Sequence, residues 1–356
     1  MVGIGIESSC DDTGIAIVDE NNQVLASEVA SQLDVHKVFG GVVPEIASRE
    51  HLKVIYSLYN QAIKKASIRL EDVEYLAVTA GPGLVGSLLV GATFAKGLAL
   101  STGKPLIPVD HVHGHVHSTF LDVSWKIEDK FPSLALVISG GHTNIYYMQS
   151  AIEFGLVAST IDDACGESFD KVAKMLGLEY PGGAKIEAWA KKGDPNHYPM
   201  PMMMKDKNNL NFSYSGLKTH VVYLLRKLSG QAGSAQSQFV LPESTVADVC
   251  ASFQEEALGQ VIRKTRLAHS QYPQVKSLLV AGGVAASQRL RERLEKEVAL
   301  PAFFPARPYC MDNAAMIAAY GGAIYRATKQ DRTRFVPDQL WDVYSRYRAQ
   351  HTSARG

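Results

Sequence analysis

Short apolar runs alternate with polar turns near the start of the chain. The apolar residues 2–6 lead into a polar turn at 7–14, and a second apolar run occupies 15–18. Two such runs joined by a polar turn predict a β-hairpin. The same unit recurs at 134–148, where two apolar runs flank a Gly-rich turn. One unit that occurs twice predicts a duplicated lobe.

The segment between these hairpins alternates between helical and strand patterns. A helical pattern at 44–65 precedes a β-type run at 73–79, and a Gly-rich turn connects that run to a small-residue helix at 84–100. This alternation predicts an α/β fold. A further Gly turn at 281–284 lies between a strand and a helix. Glycines before a helix N-terminus are typical of sites that bind phosphates or nucleotides.

The composition is that of a globular protein with two domains. The 356 residues are 46% hydrophobic and 20% charged, and 36 basic side chains balance 36 acidic ones. These values exclude disorder, collagen and coiled coil as the main architecture. The length favours two lobes with separate cores. Because the net charge is zero, a nucleic-acid partner would be held by a local basic patch or by other subunits.

The sequence predicts a cytosolic protein without a membrane anchor. The longest apolar run, 84–95, contains Gly86 and Gly91 and stops at Lys96, so we expect it to be too short and too interrupted to span a bilayer. The N-terminus lacks the basic and apolar regions of a secretory signal. The four cysteines form no CxxC pair, which argues against a disulfide framework or a Cys-rich zinc site.

Four histidines at alternate positions, in the stretch DHVHGHVH, form a candidate metal site. On a helix, His111 and His115 share one face, and two imidazoles at i and i+4 are able to chelate one cation. His113 and His117 share another face, and the spacing does not choose between the pairs; a polar helix lined by histidines is the alternative. A third ligand must come from elsewhere. Asp312 is a candidate, with a helix N-cap as its alternative role.

Two further segments have the residue types of a nucleotide site. The turn SGGHT at 139–143 follows an apolar strand, and its consecutive glycines let backbone N–H groups approach an oxyanion. An ordinary hairpin turn is the alternative. Asp170 lies in a helical pattern after several acids, and on a helix that faces a cleft it would accept hydrogen bonds from ligand hydroxyls. For these acids, interaction with the helix dipole is the alternative.

Several motifs follow one another in a fixed order along nearly the whole chain. They are GIESSCD at 5–11, GGVVPE at 40–45, GPGL at 81–84, the histidine motif, SGGHT at 139–143, YPGG at 180–183, SYSGLK at 213–218, AGGV at 281–284 and DNAAM at 312–316. In these motifs and their order the chain resembles the TsaD family, also called Gcp or YgjD, of bacterial tRNA N6-adenosine threonylcarbamoyltransferases.

The resemblance implies an α/β architecture, the actin-like ATPase fold of sugar kinases and heat-shock ATPases, with two lobes around a cleft. We therefore expect an N-terminal α/β lobe at 1–108. A C-terminal α/β lobe at 109–320 is expected to contain the metal and substrate site. A C-terminal helix and tail at 321–356 is expected to return to the N-terminal lobe.

The resemblance also implies a reaction and a cofactor. The family transfers the threonylcarbamoyl group of threonylcarbamoyl-AMP to N6 of adenosine 37 in tRNAs that read codons beginning with A, and AMP leaves. One divalent metal, Fe²⁺ in the first place and Zn²⁺ as the alternative, is implied at His111, His115 and Asp312. The metal would hold the threonylcarbamoyl group and polarise its carbonyl.

The same resemblance implies substrate-binding residues. Carried over position by position, they are Ser139, Gly140, Gly141, His142, Thr143, Asp170, Gly183, Glu187 and Ser287. Because the N6 amine is a poor nucleophile, we expect carbonyl activation and positioning to supply most of the rate. Asp11, in the first hairpin turn, is the candidate general base.

Four positions depart from the family pattern. The family usually has Glu where this chain has His113, so the metal site is expected to be richer in nitrogen. Its usual Pro, Asp and Asn are replaced by Ala184, Glu187 and Ser287. Ser is shorter than Asn and lacks the paired donor and acceptor of an amide, which predicts a weaker or water-mediated contact to the adenine or ribose.

Partners and two alternative functions complete the expectations. The resemblance implies tRNA as substrate, a smaller paralogue (TsaB-like) and an ATPase subunit (TsaE-like). The helix at 84–100 is expected to offer an apolar surface to the paralogue, with core packing as the alternative. A metal-dependent, ATP-binding kinase-like protein and a non-catalytic scaffold paralogue are the other functions considered. The missing HExxH motif argues against a metalloprotease.

Overall fold

The computed structural model describes residues 1–39, 41–206, 208–230, 239–328 and 341–345. The chain divides into two compact units. Unit 1 consists of Met1–Ser124 together with Asp312–Gly356, and unit 2 consists of Trp125–Met311. Unit 1 is therefore built from both ends of the chain, and unit 2 is continuous.

Unit 1 contains a five-stranded mixed sheet. Its strands, in the order β3-β2-β1-β4-β5, are β1 (Val2–Glu7), β2 (Asp12–Asp19), β3 (Val24–Ser31), β4 (Tyr75–Gly81) and β5 (Leu106–Asp110). β2 is antiparallel to β1 and β3, whereas β4 is parallel to β1 and β5. Every residue of β4 is buried, as expected for a strand inside a sheet that helices cover.

Unit 2 repeats this sheet. Its strands, in the order β10-β9-β6-β7-β8, are β6 (Ser133–Ile138), β7 (Thr143–Met148), β8 (Phe154–Ser159), β9 (Ser277–Ala281) and β10 (Ala302–Phe303). Again the first three strands form an antiparallel meander and the last two are parallel to the first. The predicted duplication is thus confirmed strand by strand, including β3 and β8, which the sequence patterns did not indicate.

The helices of the two units differ in length and position. Unit 1 contains α1 (Leu33–Lys37), α2 (Pro44–Ala66), α3 (Val85–Thr102), α4 (His111–His117) and α10 (Ala314–Ala327). Unit 2 contains α5 (Cys165–Met175), α6 (Gly182–Ala190), α7 (Ser215–Leu228), α8 (Glu243–Gln271) and α9 (Gln288–Glu297). Local chemistry sets several ends: Pro44 starts α2 without losing a helical hydrogen bond, and Gly103 ends α3 in the left-handed region at φ 66°.

The unit boundaries differ from the expected lobes. The expectation placed 109–320 in the second lobe, yet α4 and α10 both lie in unit 1. The reason is that β5 continues directly into α4, while α10 packs on β1, β4 and α4. The described tail residues 341–345 also lie in unit 1, where the Tyr344 N–H donates to the Ala80 carbonyl over 3.0 Å. The remaining residues after 328 lie outside the described part.

Helix α3 is the most apolar long helix of the chain. At 18 residues and with a mean hydropathy of 1.3 it is long and apolar enough to cross a membrane. In the structure it packs on α2 and β4, and the buried side chains of Leu88, Ala92, Ala95 and Ala99 face the interior of unit 1. One face of α3 is thus packed inside unit 1, and a third of the helix is buried.

Candidate metal centre and substrate turn

Helix α4 places two histidines on one side of a single turn. Asp110, at the end of β5, caps this helix, because its Oδ1 accepts a hydrogen bond from the His113 N–H over 3.0 Å. His111 and His115 are one turn apart, and their ring centroids are separated by 4.7 Å. Both side chains are buried, with 5% and 1% of their surface exposed.

The third member of the cluster comes from the start of α10. The N-cap of α10 is Asn313, whose side chain accepts from the Met316 N–H, so Asp312 is not the cap residue. Asp312 Oδ1 lies 3.6 Å from His111 Nε2 and 3.2 Å from His115 Nε2. One ligand atom from each of the three residues lies within 4.8 Å of the others. The structure therefore brings together the three predicted metal ligands within unit 1.

The donor set has the chemistry that a divalent transition metal requires. Two imidazole nitrogens and one carboxylate oxygen match the facial triad of Fe²⁺ enzymes and the His₂–carboxylate set of catalytic zinc sites. Both ring nitrogens of His115 are buried and make no hydrogen bond among the described residues, although Nε2 is close to Asp312. A metal would satisfy that buried nitrogen, and three protein ligands leave coordination positions open for a substrate.

A fourth residue, Glu7, contacts the metal cluster from the end of β1. Its Oε2 lies 3.0 Å from His111 Nδ1 and accepts from the Thr79 hydroxyl over 2.7 Å. The Ser9 N–H donates to Oε1 over 2.5 Å. Burial opposes the charge of His111, but the carboxylates of Glu7 and Asp312 outweigh it and raise the pKa of His111 to about 9. The sequence pattern did not single out Glu7, because this residue belongs to the polar stretch 7–14.

The second histidine pair has different neighbours. His117 stacks on Tyr320, with ring centroids 4.5 Å apart and an interplanar angle of 28°. His113 Nδ1 lies 3.4 Å from the Tyr320 hydroxyl oxygen. Burial lowers the pKa of His113, which favours a neutral ring. Among the described residues the candidate metal cluster contains neither ring, so the expectation of a nitrogen-richer site is not supported.

The predicted base, Asp11, lies in the short turn between β1 and β2. It is half-buried, and its carbonyl accepts from the Gln32 N–H over 3.1 Å. The more perturbed carboxyl belongs to its neighbour, Asp12. Burial is the main cause that raises the pKa of Asp12 to about 6, and its Oδ1 is buried without a hydrogen-bond partner among the described residues.

In unit 2, the turn 139–143 connects β6 to β7 and rests on the start of α5. The Ser139 N–H donates to the His142 carbonyl, and the His142 N–H donates to Ser139 Oγ. Thr143 Oγ1 accepts from the Cys165 N–H over 2.8 Å. Apart from the chain neighbours of each glycine, no described residue has an atom within 4 Å of where a Cβ would stand on Gly140 or Gly141. The two glycines thus present their backbone to open space, as an anion cradle requires.

Asp170 and Gly183 meet where α5 contacts the start of α6. Asp170 Oδ1 accepts from the Gly182 N–H over 2.7 Å. Burial raises the pKa of Asp170, and the amides of Gly182 and Gly183 partly counter that effect. A Cβ on Gly182 would lie 2.8 Å from the Asp170 Cα, whereas Gly183 faces open space. The structure brings these two predicted residues together.

Glu187 and Ser287 are joined by a hydrogen bond at the start of α9. The Ser287 hydroxyl donates to Glu187 Oε1 over 3.1 Å, and Ser287 Oγ accepts from the Leu290 N–H as the N-cap of α9. The Arg289 N–H also donates to Glu187 Oε1, over 2.9 Å. Glu187 and Arg289 line a cavity of about 220 Å³. The two departures from the family pattern are therefore hydrogen-bonded to each other, and Glu187 also lines this cavity.

Comparisons with known proteins concern the chain as a whole and show its family. A family model described as "TsaD: tRNA N6-adenosine threonylcarbamoyltransferase" matches residues 23–319. A protein of Moorella thermoacetica named tRNA N6-adenosine threonylcarbamoyltransferase is 45% identical over 331 residues, which are 92% of each chain. A protein of Bacillus subtilis with the same name is 44% identical over 326 residues, which are 90% of each chain.

Solved structures show the fold. Full-length HypF in its phosphate- and nucleotide-bound form aligns with 91% of this chain and 46% of its own, with a TM-score of 0.58 and 11% identity. The activator of 2-hydroxyisocaproyl-CoA dehydratase from Clostridium difficile aligns with 93% of this chain and 98% of its own, with a TM-score of 0.53 and 11% identity. The expected actin-like ATPase fold, with two mixed-sheet α/β lobes, is confirmed.

Proposed function

We propose a reaction for this chain from the premise that it belongs to the TsaD family of tRNA N6-adenosine threonylcarbamoyltransferases. In this reaction N6 of adenosine 37, in tRNAs that read codons beginning with A, attacks the carbamoyl carbonyl of threonylcarbamoyl-AMP. A C–N bond forms, the C–O bond to the phosphate breaks, the N6 proton leaves and AMP departs. The observation that carries this proposal is the convergence of His111, His115 and Asp312 in a chain 45% identical to a protein of that name.

We assign the three converging residues to one divalent metal. Fe²⁺ is the ion proposed and Zn²⁺ is the alternative, since both accept two imidazoles and a carboxylate. A bound metal supplies a Lewis acid that polarises the carbonyl of the threonylcarbamoyl group. The buried histidines hold their nitrogens in place, while Asp312, whose side chain is 27% exposed, lies on the accessible side of the cluster.

The nucleotide end of the acyl-adenylate is assigned to unit 2. The N–H groups of Gly140 and Gly141 would bind phosphate oxygens, with Ser139, His142 and Thr143 holding the turn in shape. Asp170 keeps acceptor capacity beyond its bond to Gly182 and would bind a ribose hydroxyl beside Gly183. Glu187 and Ser287, which are hydrogen-bonded to each other, are proposed to complete the nucleotide site.

Asp11 is the proposed acceptor of the proton that leaves N6. It lies in the turn that follows Glu7, and Glu7 contacts the metal ligand His111. A carboxylate there would act late in the reaction, because the N6 amine loses its proton only as the new C–N bond forms.

The other functions considered are not favoured. A non-catalytic scaffold has no need of a buried His–His–Asp cluster, and a kinase of this fold needs no such ligand set. The curated relatives that cover most of this chain are named as transferases.

The proposed partners are expected in the cytosol, and one of them is assigned to a groove on unit 1. Helices α2 and α3 form an apolar groove of about 620 Å³. Leu52, Tyr56 and Leu89 in this groove are 66%, 67% and 46% exposed. A smaller paralogue of the same fold would bring an equivalent helix pair to this groove, so we propose it as the occupant. An ATPase subunit is the second proposed partner, and tRNA is the substrate.

The direct test is formation of threonylcarbamoyl-adenosine. The metal-loaded chain is incubated with unmodified tRNA and threonylcarbamoyl-AMP, alone and with the smaller paralogue, and the nucleosides are then identified by mass spectrometry. We expect the product with the wild-type chain, and at least a 100-fold lower rate with His115→Ala. His113→Glu, which restores the residue usual in the family, is the matched control on the same helix and should keep the rate. Absence of product from the wild type with all reactants would refute the proposed reaction.

A further inference from the structure

We infer that Glu7 is a positioning residue for the metal site: it holds the imidazole of His111 so that Nε2, and not Nδ1, faces the metal. This inference rests on the metal site proposed above and concerns a residue outside the three ligands. It assigns to the β1–β2 hairpin a role in metal binding.

The contacts of Glu7 leave its carboxylate little freedom. Only 1% of the residue is exposed. Oε1 accepts from the Ser9 N–H over 2.5 Å, and Oε2 accepts from the Thr79 hydroxyl over 2.7 Å. One group from the turn after β1 and one from β4 thus hold the carboxylate. Oε2 also lies 3.0 Å from His111 Nδ1. The acceptor in this contact is therefore held in place by the other hydrogen bonds of the carboxylate.

This contact determines which nitrogen of His111 is available to a metal. An ionised carboxylate only accepts hydrogen bonds, so Nδ1 must carry the proton that it donates to Glu7. In a neutral ring, Nε2 then keeps its lone pair, and this is the nitrogen 3.6 Å from Asp312 Oδ1. Ser9 Oγ lies 3.2 Å from the same Nδ1, but a hydroxyl both donates and accepts and does not select a tautomer by itself.

The surroundings of Glu7 support the assignment. Its two carboxylate oxygens face the Ser9 N–H, the Thr79 hydroxyl and the His111 ring, all of which are able to donate a hydrogen bond to an ionised carboxylate. A buried carboxylate is costly unless it is paired. Metal-ligating histidines commonly donate their other ring N–H to such a carboxylate, which orients the ring and strengthens the metal bond.

The two histidine ligands differ in this respect. His115 Nδ1 is buried without a hydrogen-bond partner among the described residues, so no carboxylate fixes its tautomer. Orientation of the imidazole pair then depends on His111 and its contact with Glu7. We therefore expect the loss of Glu7 to weaken metal binding even though Glu7 does not touch the metal.

A purely structural role for Glu7 would make a different prediction. Glu7 also connects Ser9 and Thr79 to β1 by hydrogen bonds. If this were its only role, replacing Glu7 would lower the free energy of unfolding without a specific effect on metal affinity. Thr79→Val removes one hydrogen bond to the same carboxylate oxygen and leaves the Glu7–His111 contact in place. It is the matched control for local structural loss.

The experiment measures metal affinity and the coordination spectrum of the full chain with Co²⁺ as the probe. We expect Glu7→Ala to weaken Co²⁺ binding 10- to 100-fold and to shift the d–d absorption band. Glu7→Gln, which still accepts a hydrogen bond but lacks the charge, should fall between wild type and Glu7→Ala. Thr79→Val should stay within about threefold of the wild type. Wild-type affinity and an unchanged spectrum in both Glu7 variants would overturn the inference.

Two further measurements separate this inference from the metal site on which it rests. If His111→Ala binds Co²⁺ as the wild type does, the proposed metal site fails; if it loses Co²⁺ while the Glu7 variants do not, only the role of Glu7 fails. Should the Glu7 variants not fold, ¹⁵N NMR of the Zn²⁺-loaded wild type decides. We expect His111 protonated at Nδ1 and ligated at Nε2, and ligation through Nδ1 would contradict the inference.

Discussion

Two carboxyl groups of the first hairpin, the buried Glu7 and the half-buried Asp12, have opposite electrostatic environments. Glu7 lies against His111, and this partner outweighs burial and lowers its pKa. Asp12 has no cation of comparable effect; burial, with smaller contributions from Asp312 and Asp11, raises its pKa to about 6. Perturbed carboxyls of this kind concentrate at functional sites because folding alone does not favour them. At neutral pH the charge of Glu7 is thus favoured by the fold, whereas the charge of Asp12 is opposed by it.

Replacing Asp12 by Asn should stabilise the metal-free chain near neutral pH. The folded carboxyl keeps its proton up to about pH 6, whereas an unfolded aspartate releases it near 3.8. The folded state therefore binds more protons between these values, and the free energy of unfolding falls as the pH rises through this window. We expect Asp12→Asn to be more stable than wild type by roughly 1–3 kcal/mol at pH 7.5.

Thermal unfolding of both chains at several pH values checks this prediction. The difference between Asp12→Asn and wild type should shrink as the pH falls from 7.5 to 4. Asp34→Asn, at an exposed position in α1, is the control and should stay within about 0.5 kcal/mol of the wild type. A stability gain for Asp12→Asn that does not change with pH would contradict the assigned pKa.

The metal cluster depends on how closely one helix approaches a sheet. α10 carries Asp312 immediately before its N-cap and packs on β1. Gly5 on β1 permits this approach, because a Cβ there would lie 2.1 Å from the Ala314 carbonyl oxygen and 2.6 Å from the Ala318 nitrogen. Both obstacles are backbone atoms, so the helix itself would have to move.

Gly5→Ala should therefore displace α10. Because Asp312 lies just before this helix, the proposed metal site should be weakened as well. We expect the free energy of unfolding to fall by about 1–3 kcal/mol, as overpacking commonly causes. Metal affinity should fall as well, since Asp312 is two residues from Ala314. Gly155→Ala is the control, because its Cβ would lie 3.7 Å from the Tyr147 carbonyl oxygen, an ordinary contact. Unfolding measurements and Co²⁺ titration of both variants test this, and equal metal affinity in Gly5→Ala and wild type would count against it.

Local patterns predicted a helix that contains the four histidines, but not which of its faces packs against α10. The i, i+4 spacing of His111 and His115 was visible in the sequence, as was that of His113 and His117. The packing of α4 against α10 selects the first pair, and no local pattern encodes a contact between residues so distant in sequence. Glu7 was missed for the same reason, since 104 positions separate it from His111. β3 was missed because its mixed burial lacks the regular alternation of a half-buried strand.

At the scale of the whole molecule, the two units repeat one sheet and divide the predicted site residues between them. The metal ligands lie in unit 1, and the turn 139–143 with Asp170, Gly183, Glu187 and Ser287 lies in unit 2. Unit 1 also contains the groove between α2 and α3. The exposed apolar side chains of this groove do not belong to the metal cluster. The proposed metal site and the proposed docking groove therefore share no residue, although both lie in unit 1.

Tyr56→Asp should abolish binding of the smaller paralogue. A buried charge in an apolar helix contact is costly, so we expect at least a 100-fold loss of affinity by calorimetry. Because Tyr56 is 67% exposed, the stability of the isolated chain and its Co²⁺ affinity should not change. Tyr223→Asp, at a 64% exposed tyrosine on α7, is the matched control and should bind as wild type does. Unchanged binding of Tyr56→Asp would exclude the groove as the docking site, and loss of a homodimer instead would assign it to a second copy.

The measurement that tests the central claim most directly is the rate of threonylcarbamoyl-adenosine formation as a function of bound metal. The chain is stripped of metal, titrated anaerobically with Fe²⁺, and assayed at each step with tRNA, threonylcarbamoyl-AMP and the smaller paralogue. We predict that the rate rises with bound metal and saturates near one ion per chain, and that His115→Ala stays at the background rate. A full rate in the stripped chain, or wild-type saturation in His115→Ala, would contradict the account.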